Sequence, residues 1–377
     1  MSASGSVAAP DLAADNRFMA LALSLGRRGL GRTWPNPAVG AVVVNGGEIV
    51  GRGWTQPGGR PHAEIEALRR AGAMAHGATL YVTLEPCSHH GKSPPCADAV
   101  IASGIARVVS AMEDPNPEVA ERGHARLRSA EIVVDVGVEA AAARRDHAGH
   151  IRRMRDGRPH VMLKLAISAD GKAAGAGRQR VAITGNAVRD RVHLMRARSD
   201  AIMIGIGTAL ADDPVLTCRL PGMAKLSPVR VVLDSGLRLP MQSRLLATAR
   251  ETPLWIVAGR HAPPASETAV RERGAEVLRV AEEEGRLDLR EALKILATRG
   301  ITRLMVEGGP AVASALIEAD LTDEAVFFHS PTAIGEEGVP ALAPRAAKLL
   351  NRQLQHVSSE PVGPDRKETY ERGSDHV

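Results

Sequence analysis

The chain passes twice through an alternation of short apolar strands and helical stretches, and one breaker, Gly157-Arg158-Pro159, separates the two passages. That pattern predicts sheets covered by helices, and 377 residues exceed what one hydrophobic core usually serves. The first passage opens with a predicted helix over residues 15–29, capped by Asp15, with Phe18, Met19, Leu21, Ala22 and Leu25 on one apolar stripe. VGAVVV, the turn Asn45-Gly46-Gly47 and EIVGRGW predict a hairpin. A helix then starts near His62, followed by the strand ATLYVTLEP and a Pro-, His- and Ser-rich loop to Cys96. CADAVIASG, ARVVSAM, a helix near residues 122–130 and IVVDVG complete the alternation. Residues 139–158 read as basic and helical. The second passage runs through HVMLKLAIS, AIMIGIG, VRVVLDS, PLWIVAG, AEVLRV, RLMVEGG and AVFFHS, with helices such as NAVRDRVHLMRARS and LREALKILATRG between them. The expected division is a leader over residues 1–14, a first α/β domain over 15–157 and a second over 158–377.

Composition narrows the classes of function. Aromatic residues are 2% of the chain, so aliphatic side chains must fill the cores. Single-strand binders stack bases on aromatic rings, and 3 Phe, 3 Trp and 2 Tyr offer no such path. The formal charge of +5 is modest for this length and by itself fits either nucleic acid or phosphorylated small molecules. Three cysteines make no disulfide framework and fit a reducing compartment. The opening MSASGSVAAPDLAAD lacks the basic and apolar regions of a secretory signal, and no run of 18 apolar residues occurs. The expectation is a cytoplasmic protein with a small-molecule partner, no nucleic acid and no membrane, with a homo-oligomer left open.

The chemistry concentrates in one ordered set: His62-Ala63-Glu64, then Pro86-Cys87, then Cys96. One imidazole and two thiolates make a three-ligand zinc site with an open fourth position, and Glu64 sits beside the metal without being needed to hold it. The general zinc-deaminase pattern has this order, but with only two residues between its cysteines. Here eight, SHHGKSPP, intervene. Taken singly, each residue reads as a buried cysteine or a capping histidine; taken together they read as a metal site. A closed structural zinc is the alternative, with His89 or His90 as fourth ligand. Cys218 has no place in the set and reads as packing.

With PNPAVG at 35–40, PHAEIEAL at 61–68, TLEPCSHHGKSPPC at 83–96 and DPNP at 114–117, the chain resembles the bifunctional deaminase–reductase family of riboflavin biosynthesis. The long loop between the cysteines is a feature of that family. The resemblance implies a cytidine-deaminase-like three-layer α/β/α domain, followed by a dihydrofolate-reductase-like α/β domain. It implies one zinc on His62, Cys87 and Cys96, with Glu64 as the catalytic proton shuttle. It places Asn36, His89, Lys92, Asp114 and Asn116 around the deaminase substrate.

In the second half, LKLAISADGK, GIGTALADDPVLTCR, VVLDS and VEGGPAVASAL carry the resemblance. It implies NADPH as cofactor, with Ala166, Thr208, Asp212, Ser235 and Gly309 on the cofactor side. Lys164, Arg196, Leu216, Arg219 and Glu307 fall on the substrate side, the two arginines suiting a phosphate monoester. The GGP at 308–310 closes a strand and opens a helix, where N–H groups could hold an anion; it is not a GxGxxG fingerprint. Ala182 stands where the family has tryptophan, and Arg180 where it has a small polar residue. A nucleic-acid base deaminase with an unrelated second domain, and a deaminase with a degenerate reductase, are the alternative readings.

Overall fold

The computed structural model describes residues 11–89, 94–116, 120–179 and 181–373. The chain forms two compact units that part between Ile151 and Arg152.

In the first unit, β1 (Gly40–Asn45) and β2 (Glu48–Trp54) form the expected hairpin, with Gly46 and Gly47 at φ 58° and 84° in its turn. With β3 (Thr79–Val82), β4 (Arg107–Ser110) and β5 (Val133–Val136) they make a sheet of order β2-β1-β3-β4-β5. β1 runs antiparallel to β2 and β3, and β3, β4 and β5 run parallel. The helices are α1 (Leu12–Gly26), α2 (Ala63–Ala71), α3 (Cys96–Ala102), α4 (Arg122–Ser129) and α5 (Ala140–Asp146).

The strand period of two builds the layers. Ala41 and Val43 pack with α2, α3 and α4 through Ala63, Ala67, Val100 and Leu127. Val42 and Val44 face the other way, onto Phe18, Met19 and Ala22 of α1 and Ala143 of α5. The result is the three-layer α/β/α sandwich that the sequence implies.

The cap of α1 differs from expectation. Asp11 accepts from the N–H groups of Ala13 and Ala14, so the helix starts at Leu12. Asp15 is instead buried, paired with Arg107 at 2.7 Å and accepting from the Tyr81 hydroxyl at 2.7 Å.

Helix α6 (Ala148–Asp156) carries the chain across the division, and the expected break at Gly157 follows its end. The second unit contains the strands β6 (His160–Ile167), β7 (Lys172–Ala174), β8 (Ala201–Gly205), β9 (Val229–Leu233), β10 (Leu254–Gly259), β11 (Glu276–Val280), β12 (Glu282–Glu283), β13 (Arg286–Leu287), β14 (Arg303–Val306), β15 (Glu324–His329), β16 (Val339–Pro340), β17 (Gln355–Val362) and β18 (Asp365–Glu371). Nine form one sheet, in the order β11-β10-β9-β8-β14-β6-β15-β18-β17. All pairs from β11 to β15 are parallel; the last two are antiparallel.

Its helices are α7 (Asn186–Ala197), α8 (Ile206–Asp212), α9 (Arg244–Ala247), α10 (Pro264–Glu272), α11 (Leu289–Thr298), α12 (Pro310–Glu318) and α13 (Pro344–Gln353). This is the dihydrofolate-reductase-like α/β class that the resemblance implies. In open parallel sheets, ligands sit beyond the carboxyl ends of strands. Here those ends carry Ala166 of β6, Gly205 of β8 and Glu307 after β14. No described helix is long and apolar enough to cross a membrane.

Candidate active sites

The first site is built where α2 lies directly on β2. A Cβ on Gly53 would stand 2.2 Å from the Ala63 carbonyl oxygen, and one on Gly51 would stand 2.2 Å from that of Ala67. Bare glycine backbone therefore sets the height of α2 above the sheet, and with it His62 at the helix cap and Glu64 in its first turn. Cys87 follows β3, and Cys96 opens α3, whose first N–H donates to the Cys87 Sγ at 3.3 Å.

The three donors converge. His62 Nδ1 lies 3.3 Å from Cys96 Sγ and 3.7 Å from Cys87 Sγ, and all three donor atoms fall within 4.8 Å of one another. A zinc ion with bonds of about 2.0–2.3 Å in tetrahedral geometry needs ligand edges of about 3.3–3.8 Å. The residues present fit the ion. The Cys96 thiol, helped by the His62 imidazole, holds Cys87 down at about 4 against the opposing effect of burial, while the Cys87 sulfur and burial push Cys96 up. The pair thus shares one proton, the arrangement a cation would replace. Among the described residues no fourth His, Cys, Asp or Glu joins the group. Glu64, 3% exposed, lies close enough to interact with Cys96, and burial raises its pKa.

The other expected pocket residues divide. His89 is exposed, and Lys92 and His90 lie outside the described residues. Asn36 donates from its amide to the Gly59 carbonyl at 2.8 Å, so part of its capacity goes to holding that turn. Asp114 accepts from the Asn116 N–H at 2.9 Å and meets His150 Nε2 at 3.2 Å. Burial works to raise the Asp114 pKa, but His150 outweighs it and holds the carboxyl below its ordinary range.

Sequence reasoning missed Glu85. Its buried carboxylate accepts from four backbone N–H groups, those of Asp114, Glu121, Gly123 and His124, at 2.8–3.2 Å. A carboxylate between Leu84 and Pro86, two positions before a metal ligand, was the available signal.

The second site is a cavity of about 430 Å³ at the carboxyl ends of β6, β8 and β14. Lys164, Ala166, Arg196, Thr208, Asp212, Arg219, Glu307 and Gly309 line it together, as the resemblance implies. An adjoining cavity of about 320 Å³ shares several of these residues and adds Leu216 and Arg244. Ser235 does not line either cavity; its carbonyl accepts from the Gly259 N–H. Ala182 lines the larger one, and Arg180 lies outside the described residues.

Two expectations change at this site. Arg196 holds Glu307 with paired bonds of 2.6 and 2.9 Å and also donates to the Thr217 carbonyl, so its fork is largely spent within the protein. Glu307 stays ionised because Arg196 outweighs the burial that would raise its pKa. The Gly309 N–H, an expected anion donor, is taken by Thr208 Oγ1 at 3.0 Å. Arg189, Arg219 and Arg244 lie at these cavities without an ion-pair partner among the described residues. Burial pushes the Lys164 ammonium down, offset in part by Glu307.

Comparison with known proteins follows this division. Residues 12–112 match the cytidine and deoxycytidylate deaminase zinc-binding region, and residues 159–367 match the RibD C-terminal domain. The riboflavin biosynthesis protein RibD of Escherichia coli is 42% identical over 365 residues, covering 93% of this chain and 97% of that protein. The Aquifex aeolicus protein of the same name is 41% identical, over 85% and 88% of the two chains. Acinetobacter baumannii RibD superposes with a TM-score of 0.86 at 33% identity, covering 97% of this chain and all of that one. The Thermotoga maritima diaminohydroxyphosphoribosylaminopyrimidine deaminase/5-amino-6-(5-phosphoribosylamino)uracil reductase gives 0.82 at 32%, again covering 97% of this chain and all of its own. The chain belongs to the RibD family, the bifunctional deaminase–reductases of riboflavin biosynthesis, whose two domains fit zinc and NADPH.

Proposed function

We propose that the two units, divided as residues 15–157 and 158–377 after a leader over 1–14, carry consecutive steps on one phosphorylated pyrimidine in the cytoplasm. The first hydrolyses the ring amino group of 2,5-diamino-6-(5-phosphoribosylamino)pyrimidin-4-one to a carbonyl and releases ammonia. The second reduces the ribose of that product to a ribityl chain. The observation that carries this reading is the triangle of His62, Cys87 and Cys96 with Glu64 buried beside it.

Zinc on that triangle supplies the Lewis acidity that makes water a nucleophile near neutral pH. Glu64 takes the proton of the attacking water, passes it to a ring nitrogen and then assists the departure of ammonia. Asn36, His89, Lys92, Asp114 and Asn116 orient the pyrimidine. In the second site NADPH supplies the hydride. Ala166, Thr208, Asp212 and Gly309 face the cofactor, while Lys164, Leu216 and Glu307 face the substrate. Arg219 and Arg244 take the phosphate, and Arg196 acts by orienting Glu307. Hydride transfer at such a site rests on position more than on proton donation.

The test follows ammonia and NADPH absorbance separately with the diaminopyrimidine phosphate. Both signals are expected in sequence. A zinc chelator should abolish ammonia release yet leave NADPH oxidation on already deaminated substrate. Ammonia release that survives complete metal removal would overturn the first assignment; absence of NADPH oxidation on deaminated substrate would overturn the second.

A further inference from the structure

His193 lies in α7, one helical turn before Arg196, and is 5% exposed. Its Nδ1 is 3.2 Å from the backbone N–H of Arg219 and 3.1 Å from the Thr217 carbonyl oxygen. One ring nitrogen cannot both accept from the first and donate to the second. Backbone accounting decides between them. The Thr217 carbonyl already accepts from Arg196 Nη1 at 3.1 Å, whereas the Arg219 N–H has His193 as its partner. The ring therefore carries its proton on Nε2 and accepts at Nδ1. Burial, with the charges of Arg196 and Arg219, favours the neutral ring.

The segment it holds is strained. Asp213 and Leu216 adopt φ of 37° and 58°, the left-handed region, which costs a non-glycine residue about 1–2 kcal/mol. Such a conformation persists only when its surroundings over-determine it. Four side chains do so here. Arg230 donates to the Val215 carbonyl, Arg196 to that of Thr217, and Asp213 accepts from the Arg244 N–H. His193 holds the end that presents Arg219 to the cavity.

We infer that His193 is a positioning residue of the reductase: through its Nδ1 lone pair it fixes the backbone at Arg219, and so the place at which this strained segment meets the substrate. The inference rests on the reductase reading above. Asparagine can offer an acceptor oxygen near the position of Nδ1; alanine cannot.

The test compares His193→Ala and His193→Asn in the full chain, with 5-amino-6-(5-phosphoribosylamino)uracil and NADPH. His193→Ala should raise KM for the pyrimidine at least about tenfold, with KM for NADPH and the deaminase rate within twofold of wild type. His193→Asn should recover most of the loss. An unchanged pyrimidine KM in His193→Ala, equal loss toward both ligands, or an asparagine variant no better than alanine would each overturn it. A second measurement does not depend on turnover. Nitrogen-15 shifts of the His193 ring in the free protein at pH 8 should report the Nε2-protonated tautomer, and protonation at Nδ1 would overturn the inference even if the reductase reading failed.

Discussion

A buried carboxylate that accepts four backbone N–H groups organises a loop as a metal ion would, by giving several donors one shared partner. Glu85 does this for Asp114 on one side and for Glu121, Gly123 and His124 on the other. Glu85→Ala strands those donors in a buried site. A buried donor without a partner costs about 1–3 kcal/mol, so even partial rehydration leaves an expected loss near 3 kcal/mol. Urea unfolding of the zinc-loaded protein measures it. Because Asp114 sits on the same loop, the deaminase KM should rise while bound zinc stays at wild-type content. Unchanged stability and KM would show that the loop holds itself. At this scale the sequence discloses residues whose type is the chemistry. His62, Cys87 and Cys96 could be found because thiolate and imidazole ligands have few substitutes. The roles of Glu85 and His193 could not be read, because they lie in partners 26 or more positions away or in a tautomer, neither of which leaves a spacing pattern.

The elements that place these residues depend on close approach as much as on propensity. α2 rests on β2 where Gly51 and Gly53 present no side chain. Gly53→Ala should force α2 outward, since the new methyl meets backbone oxygen of Ala63, which cannot rotate aside. The nearby Gly46→Ala is the comparison, because its Cβ meets nothing within 4 Å and only the positive φ is penalised. A loss near 1 kcal/mol is expected for Gly46→Ala. Gly53→Ala should lose at least about twice that, and zinc affinity as well, because His62 caps the displaced helix. Equal losses in the two variants, with zinc binding intact, would remove the glycine notch from the account.

The strands of both sheets that alternate or run apolar were legible: β1, β3, β8 and β10 bury nearly every residue, and β6 alternates buried with half-buried ones. β17 was not. Seven of its eight residues are exposed or partly so, and QHVSSEPV carries no apolar period for a reader to find. The start of α1 was misplaced for a related reason. Asp11 and Asp15 offer the same side chain to a capping rule, and only the packing of Asp15 against Tyr81 and Arg107 tells them apart.

At the scale of the whole molecule, two chemistries lie on two separately cored units, and a single substitution can ask whether they are independent. The first core gathers α2, α3 and α4 on the five-stranded sheet; clusters in the second draw on its own nine-stranded sheet. Glu64 is two residues from a ligand but is not one of the three converging donors. Glu64→Gln keeps the shape and removes the base. The variant should therefore retain zinc by metal analysis and lose deamination by at least about 10²-fold, the lower end for a general acid–base group. Given substrate already deaminated, it should oxidise NADPH near the wild-type rate, because the residues lining the second cavity all belong to the second unit. Ordinary deamination would take Glu64 out of the mechanism. Loss of both activities in a folded, zinc-loaded variant would mean that the state of the first site reaches the second, and the two units would then have to be treated as one catalytic body.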